Sequence, residues 1–128
     1  MIEGRNNLLV FPQYYNVIMH PLCQEELSQL IHESELARFI AAYKQRIHFL
    51  SVNMGRETIH SKWFEALKNS GGVRSIRFTT IRNIRILYVL GNNKAMLLLA
   101  FEEKQGHKKT EYSKYIDLAV KRVKEGIS

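Results

Sequence analysis

The stretch Val73-Arg74-Ser75-Ile76-Arg77-Phe78-Thr79-Thr80-Ile81-Arg82-Asn83-Ile84-Arg85-Ile86-Leu87-Tyr88-Val89-Leu90 decides how the rest of this chain is read. Side chains alternate between the two faces of a strand. Ile76 and Phe78 therefore share one face while Ser75, Arg77 and Thr79 take the other. In the second half Ile84, Ile86, Tyr88 and Leu90 face inward and Arg85 outward. The pattern predicts a hairpin of two strands, 73–79 and 84–90. With its turn centred on Ile81, Arg77 and Arg85 stand opposite each other on one face. Directly opposed like charges cost stability unless an anion sits between them. The pair reads either as two guanidiniums prepared for phosphate or as two solvated arginines on an exposed sheet face.

Working outward, Gly91-Asn92-Asn93 has the composition of a hairpin turn and Ala95 to Phe101 that of a third strand. Upstream of Gly72 the apolar period is about 3.6 rather than 2. Residues 14–20 are aromatic and β-branched and stop at Pro21, which predicts one strand followed by a helix with proline in its first turn. Leu22, Leu27, Leu30 and Ile31 carry that helix to about His32, with Glu25 and Glu26 near the favourable end of its dipole. Ser34 and Glu35 start a second helix whose stripe is Leu36, Phe39, Ile40, Tyr43, Ile47 and Leu50, ending near Gly55. Ile59, Trp63, Phe64 and Leu67 predict a short third helix over 58–69, closed by Ser70-Gly71-Gly72. After a polar loop at Lys108 to Thr110, Tyr115, Leu118, Ala119, Arg122 and Val123 indicate a final amphipathic helix. The expected class is α+β: a small, mostly antiparallel sheet, a meander with the first strand added, packed against two or three N-terminal helices with a C-terminal helix.

Of 128 residues 45% are apolar, 24% charged and nine Gly or Pro, the composition of one globular domain, 6–128. Such a chain buries about two thirds of its unfolded surface without disulfide or metal staples. The longest apolar run, Ala95 to Phe101, is seven residues, whereas a membrane helix needs about twenty, so no membrane partner is expected. A single cysteine, Cys23, excludes an internal disulfide and reads as helix packing. With no positive-then-apolar leader, the expected location is a reducing cytoplasm. Met1-Ile2-Glu3-Gly4-Arg5 contains Ile-Glu-Gly-Arg, which looks like a protease site for tag removal, and is set aside as an expression-tag remnant.

Net charge is +7. Residues 1–70 carry seven basic and seven acidic side chains, whereas twelve basic residues beyond 70 face five acids, so the whole excess lies in the second half. Such asymmetry points to a polyanionic partner, with nucleic acid first among candidates. Metal chemistry is unsupported, because His20, His32, His48, His60 and His107 are scattered without an i,i+4 pair. No Gly-x-Gly-x-x-Gly, phosphate-loop or Gly-x-Ser-x-Gly pattern occurs, so no cofactor is expected. Cys23 and His20 are neighbours in sequence only, which is no evidence of a nucleophile and its base.

Several blocks in order carry a resemblance: Phe64-Glu65-x-Leu67-Lys68-Asn69, Ser75-Ile76-Arg77-Phe78, Asn83-Ile84-Arg85-Ile86-Leu87-Tyr88, Leu97 to Phe101 followed by Lys104, and Ala119-x-Lys121-Arg122. Together they resemble the RelE/ParE toxin superfamily, in its phage Gp49-like or HigB-like branch, over about residues 60 to 125. The resemblance implies a RelE-like fold and the toxin of a type II toxin–antitoxin pair, held inactive by a cognate antitoxin. Many members act as mRNA interferases, ribosome-dependent endoribonucleases, while the ParE branch inhibits DNA gyrase. Arg77 matches the basic residue of the family's Glu-Leu-Arg-like strand, Arg85 the arginine of its Tyr-Arg-x-x-Tyr-like strand, and Lys104 the second lysine of its Phe-x-Lys-Lys. Glu103 replaces the first of those lysines. Tyr112 or Tyr115 matches the C-terminal tyrosine of some members, across a loop 105–110 longer than the usual pattern.

Strand scission by the adjacent 2′-hydroxyl needs a base for that hydroxyl, cationic support for the phosphate and an acid for the leaving 5′-oxygen. Arginine is a poor proton carrier and a good bidentate phosphate ligand. Arg77 and Arg85 are thus assigned to charge stabilisation, and Lys104, Tyr112 or Tyr115 to proton transfer, with His107 a weaker candidate. Arg74, Arg82, Lys108 and Lys109 would hold mRNA or ribosomal RNA backbone, with salt-dependent binding. Lys121, Arg122 and Lys124 read otherwise as a solvated helix face with last-turn cations. The competing classes are a non-nuclease toxin acting on gyrase or another protein, and a plain RNA-binding regulator, which lacks interleaved stacking aromatics. The neutral, amphipathic N-terminal half is the expected docking face for the antitoxin.

Overall fold

The computed structural model describes residues 11–12, 14–104 and 109–125. The segment 1–5 and the residues His107 and Lys108 lie outside them. The elements follow as β1 (Val17–Met19), α1 (Pro21–Leu30), α2 (Leu36–Val52), β2 (Phe64–Ala66), β3 (Arg74–Phe78), β4 (Ile84–Gly91), β5 (Lys94–Glu102) and α3 (Lys109–Glu125). The sheet order is β1-β5-β4-β3-β2. β1 runs parallel to β5, and the other three pairings are antiparallel. The molecule is an α+β fold with a five-stranded mixed sheet.

Local chemistry accounts for most of these boundaries. His20 caps α1, its Nδ1 accepting the Leu22 amide at 3.0 Å, and Pro21 fills the first helical position, where no amide is needed. The expected start of α2 at Ser34 is a 3₁₀ turn, Glu33–Glu35, in which the Glu35 carboxylate accepts the His32 amide. α2 buries Phe39, Ala42, Tyr43, Arg46, Ile47 and Leu50. Each large apolar member of that stripe contributes about 1.5–3 kcal/mol by leaving water. Asn92 and Asn93 both adopt positive φ between the paired residues Gly91 and Lys94, making the two-residue turn whose twist suits a hairpin.

The third helix expected over 58–69 does not form. A 3₁₀ turn at Glu57–Ile59 leads instead to β2, which pairs Phe64, Glu65 and Ala66 with Ile76, Ser75 and Arg74 of β3. The cause is tertiary. Glu57 is wholly buried, accepting bonds from the Gly55 amide (2.8 Å), Arg74 Nη1 (2.7 Å) and the Tyr88 hydroxyl (2.6 Å). That anchoring leaves Ile59, a core position of the expected helix, 79% exposed, while Phe64 enters the core and its strand satisfies the free edge of β3.

Helices cover both faces of the sheet. Cys23, Leu27, Phe39 and Ile47 pack with Ile76, Phe78, Ile84, Ile86 and Leu97 on one face. On the other, Ala119 and its neighbours in α3 meet Val73, Leu87, Leu98, Leu99 and Phe101. The unbroken apolar run 95–101 thus serves two cores. A bulge opposite Leu87/Tyr88 pairs Tyr88 with Leu97 and Leu87 with Leu99, so Leu98 and Leu99 fall on the same face. No helix among the described residues is long and apolar enough to cross a membrane.

Candidate functional site

The β3–β4 register places Arg77 directly opposite Arg85, and the next strand places Phe101 opposite Arg85. This row lies on the α3 face of the sheet. Arg77 is held from both sides of its backbone: its amide donates to the Trp63 carbonyl (2.7 Å), and its carbonyl accepts Arg46 Nε (2.7 Å). Arg46 is itself buried, its guanidinium over the rings of Trp63 and Phe78, so it positions the strand that carries Arg77.

Each guanidinium already carries a carboxylate. Arg77 donates to Glu65 (2.5 Å) and to the Ser61 carbonyl (3.2 Å), and Arg85 Nη2 lies 2.6 Å from Glu103 Oε1. These two acids resolve the like-charge conflict across the strands, the role that the sequence left open for an anion. Tyr112 stands over Phe101 edge-to-face at 5.7 Å, and Tyr115 stacks on the same ring at 3.8 Å. Burial pushes the Tyr112 phenol up, with Ser75 and Arg85 drawing it down and Glu103 and Glu65 reinforcing the rise. The phenol therefore stays protonated at neutral pH, and it gives its proton only to a stronger base such as a leaving alkoxide. Around it, Ser75 Oγ, Arg77 Nε, Arg85 Nη1, Glu103 Oε1 and Tyr112 Oη are buried without a well-aligned hydrogen bond among the described residues.

The other sequence candidates lie elsewhere. Lys104 is exposed and shares with Tyr115 a neighbouring cleft of about 360 Å³, lined also by Glu26, Gln29 and Glu102. Arg74 sits opposite Tyr88 and binds Glu57 at 2.7 Å, on the face covered by α1 and α2. Arg82 makes two bonds to Glu35 (3.0 and 2.9 Å), donates to the Leu30 carbonyl and lies 3.6 Å from Glu102. Both are committed to holding elements together. Lys109 opens α3, while its side chain, like Lys108, lies outside the described residues. Arg122 is no solvated cation: it is 6% exposed and bound to Glu26 and the Leu98 carbonyl. Cys23 is fully buried, which pushes its thiol up, and His20 Nδ1 is spent on its cap, so the two form no reactive pair.

No family model and no curated protein matches this chain.

All five arginines beyond residue 70 are ion-paired, four of them to acids from the first 70 residues: Glu57, Glu65, Glu35 and Glu26. The division into neutral and basic halves therefore dissolves on folding. Exposed Lys94, Lys104, Lys114, Lys121 and Lys124 carry much of the surplus instead. The site residues that sequence reading missed are Ser75, Glu65, Glu103 and Arg46. Alternation does place Ser75 beside Arg77, and Arg46 falls three after Tyr43 on the core stripe, an irregular place for a charge. Nothing in the linear pattern announced that Glu65 and Glu103 reach the guanidiniums. The assembled chemistry is two guanidiniums for an oxyanion, a phenol able to give a proton and two carboxylates able to accept one.

Proposed function

We propose that this chain is an RNA-cleaving toxin of the RelE/ParE type, an mRNA interferase acting in the cytoplasm and silenced by a cognate antitoxin. The observation that supports it is the pairing of Arg77 with Arg85 beside the protonated phenol of Tyr112. The two guanidiniums bind the scissile phosphate and offset the charge that gathers as the 2′-oxygen attacks phosphorus. Glu65 takes the 2′-hydroxyl proton and Tyr112 gives one to the leaving 5′-oxygen. The products are a 2′,3′-cyclic phosphate and a 5′-hydroxyl end. Lys104 and Tyr115, in the adjoining cleft, contact RNA rather than carry the proton. The occupation of both guanidiniums by carboxylates favours a second reading, a ParE-like toxin that uses this face against a protein without phosphate chemistry.

Purified protein added to a cell-free translation reaction, with mRNA 5′ ends mapped by primer extension, separates the two. Codon-phased cuts that require ribosomes and vanish in Arg85→Ala are expected. Intact mRNA in the presence of folded wild-type protein overturns the nuclease reading and leaves the protein-directed one.

A further inference from the structure

The Arg77/Arg85 site is neutralised but not satisfied. Glu103 reaches Arg85 through one oxygen at 2.6 Å, yet that contact lacks the alignment of a hydrogen bond, and Arg85 Nη1 has no partner at all. Ser75 is wholly buried, and its hydroxyl lies close enough to that of Tyr112 to act on the phenol, yet neither oxygen makes a well-aligned hydrogen bond. Unpaired buried polar atoms are rare in folded proteins, and several in one place are donors that an anion can take up. A carboxylate has two oxygens in a plane, whereas a phosphate presents oxygens at tetrahedral corners. The second shape can accept from a guanidinium and from hydroxyl groups at the same time.

Burial shows which partner can leave. The Arg85 side chain is 14% exposed and lies within β4, whereas Glu103, although its Oε1 is buried against the guanidinium, is 31% exposed as a side chain and stands just past the last residue of β5. We propose that Glu103 is a displaceable internal ligand of Arg85, holding the guanidinium until a phosphate oxyanion replaces it and takes up the unpartnered Arg85 Nη1 and the poorly aligned hydroxyls of Ser75 and Tyr112. The proposal rests on the phosphate-binding reading of this site and adds its regulation: the acid lowers affinity for loose phosphate and keeps two opposed arginines compatible in the empty protein. Glu65 plays the corresponding part at Arg77 less strictly, because that guanidinium also has the Ser61 carbonyl.

Binding of inorganic phosphate and of a short fluorescein-labelled oligouridylate is measured by calorimetry and anisotropy for wild type, Glu103→Gln, Arg85→Ala and Glu33→Gln. Glu103→Gln keeps the shape and removes the competing charge, and should tighten binding about fivefold. Arg85→Ala should abolish it. Glu33→Gln makes the same change in net charge on an exposed side chain of the 3₁₀ turn before α2 and should leave affinity within error. A gain with the oligonucleotide alone identifies the occupant as a phosphodiester, and a gain with inorganic phosphate as well admits a phosphate monoester. Wild-type binding that Glu103→Gln leaves unchanged or weakens overturns the displacement while the phosphate reading stands. Equal gains in Glu103→Gln and Glu33→Gln overturn it as a bulk charge effect. No binding by any folded variant overturns both.

Discussion

Replacing Arg122 by methionine tests the contact that ties α1, β5 and α3 together. Methionine preserves much of the packing of the aliphatic stem and removes only the charged head. That head donates to Leu98 O (2.7 Å), Glu26 Oε1 (3.0 Å) and Glu26 Oε2 (2.7 Å), while Glu26 Oε1 also accepts the Ala100 amide at 2.9 Å. The bulge at Leu98 turns these backbone groups away from β4, past the short span of β1, which pairs only as far as Leu97. Without the guanidinium, the Leu98 carbonyl loses this donor and Glu26 loses its counter-ion. Breaking a buried pair on one side costs about 3–5 kcal/mol. Glu26 is 28% exposed and water recovers part of the loss, so about 3 kcal/mol is expected, the low end of that range. Urea unfolding followed by circular dichroism should show a lower midpoint at unchanged slope. A double-mutant cycle with Glu26→Gln should return a coupling of at least about 1 kcal/mol. A loss under about 0.5 kcal/mol, the usual effect of a surface substitution, would sink the reasoning and return Arg122 to solvent.

The acid limb of stability should report Glu57. Burial pushes its carboxyl up, but bonds from Tyr88, the backbone and Arg74 outweigh burial and hold it below 4.5. Its contribution is complete above the unfolded value and is lost as pH falls through the lowered folded value. Tyr88→Phe should cost about 1.5–3 kcal/mol at neutral pH and shrink that acid loss; identical acid limbs in the two proteins would contradict it. Gly72 sits at φ +98° with nothing within 4 Å of an added Cβ, so Gly72→Ala should cost about 1–2 kcal/mol from backbone strain alone. A neutral result in thermal unfolding would show that the turn rearranges freely.

Much of the architecture is legible in local pattern. Period-2 alternation identified β3 and β4 and the opposition of Arg77 and Arg85, because side-chain direction in a strand is a local property. The stripe of α2, the proline and capping residue of α1 and the Asn-Asn turn are local in the same way. The segment 58–69 misled because Ile59, Trp63, Phe64 and Leu67 suit a helix while Glu57 is claimed by Arg74 and Tyr88, partners 17 and 31 residues away. Tertiary contacts override a short apolar period of that kind.

The sequence by itself determined the α+β class, the face on which the two arginines lie and the size of the positive surplus. Only the tertiary structure decided where that charge acts. Ion pairing depends on distances between residues far apart in the chain, so composition could not foresee that Glu26, Glu35, Glu57 and Glu65 would cross to the arginines of the other half. Nor could it tell a solvated Arg122 from one buried on a strand bulge, because exposure is set by what packs above a side chain and not by its neighbours in sequence. The candidate site follows the same division: its arginines were readable from alternation, while its carboxylates and its unpaired hydroxyls exist as a site only once β2, β5 and α3 have folded around them.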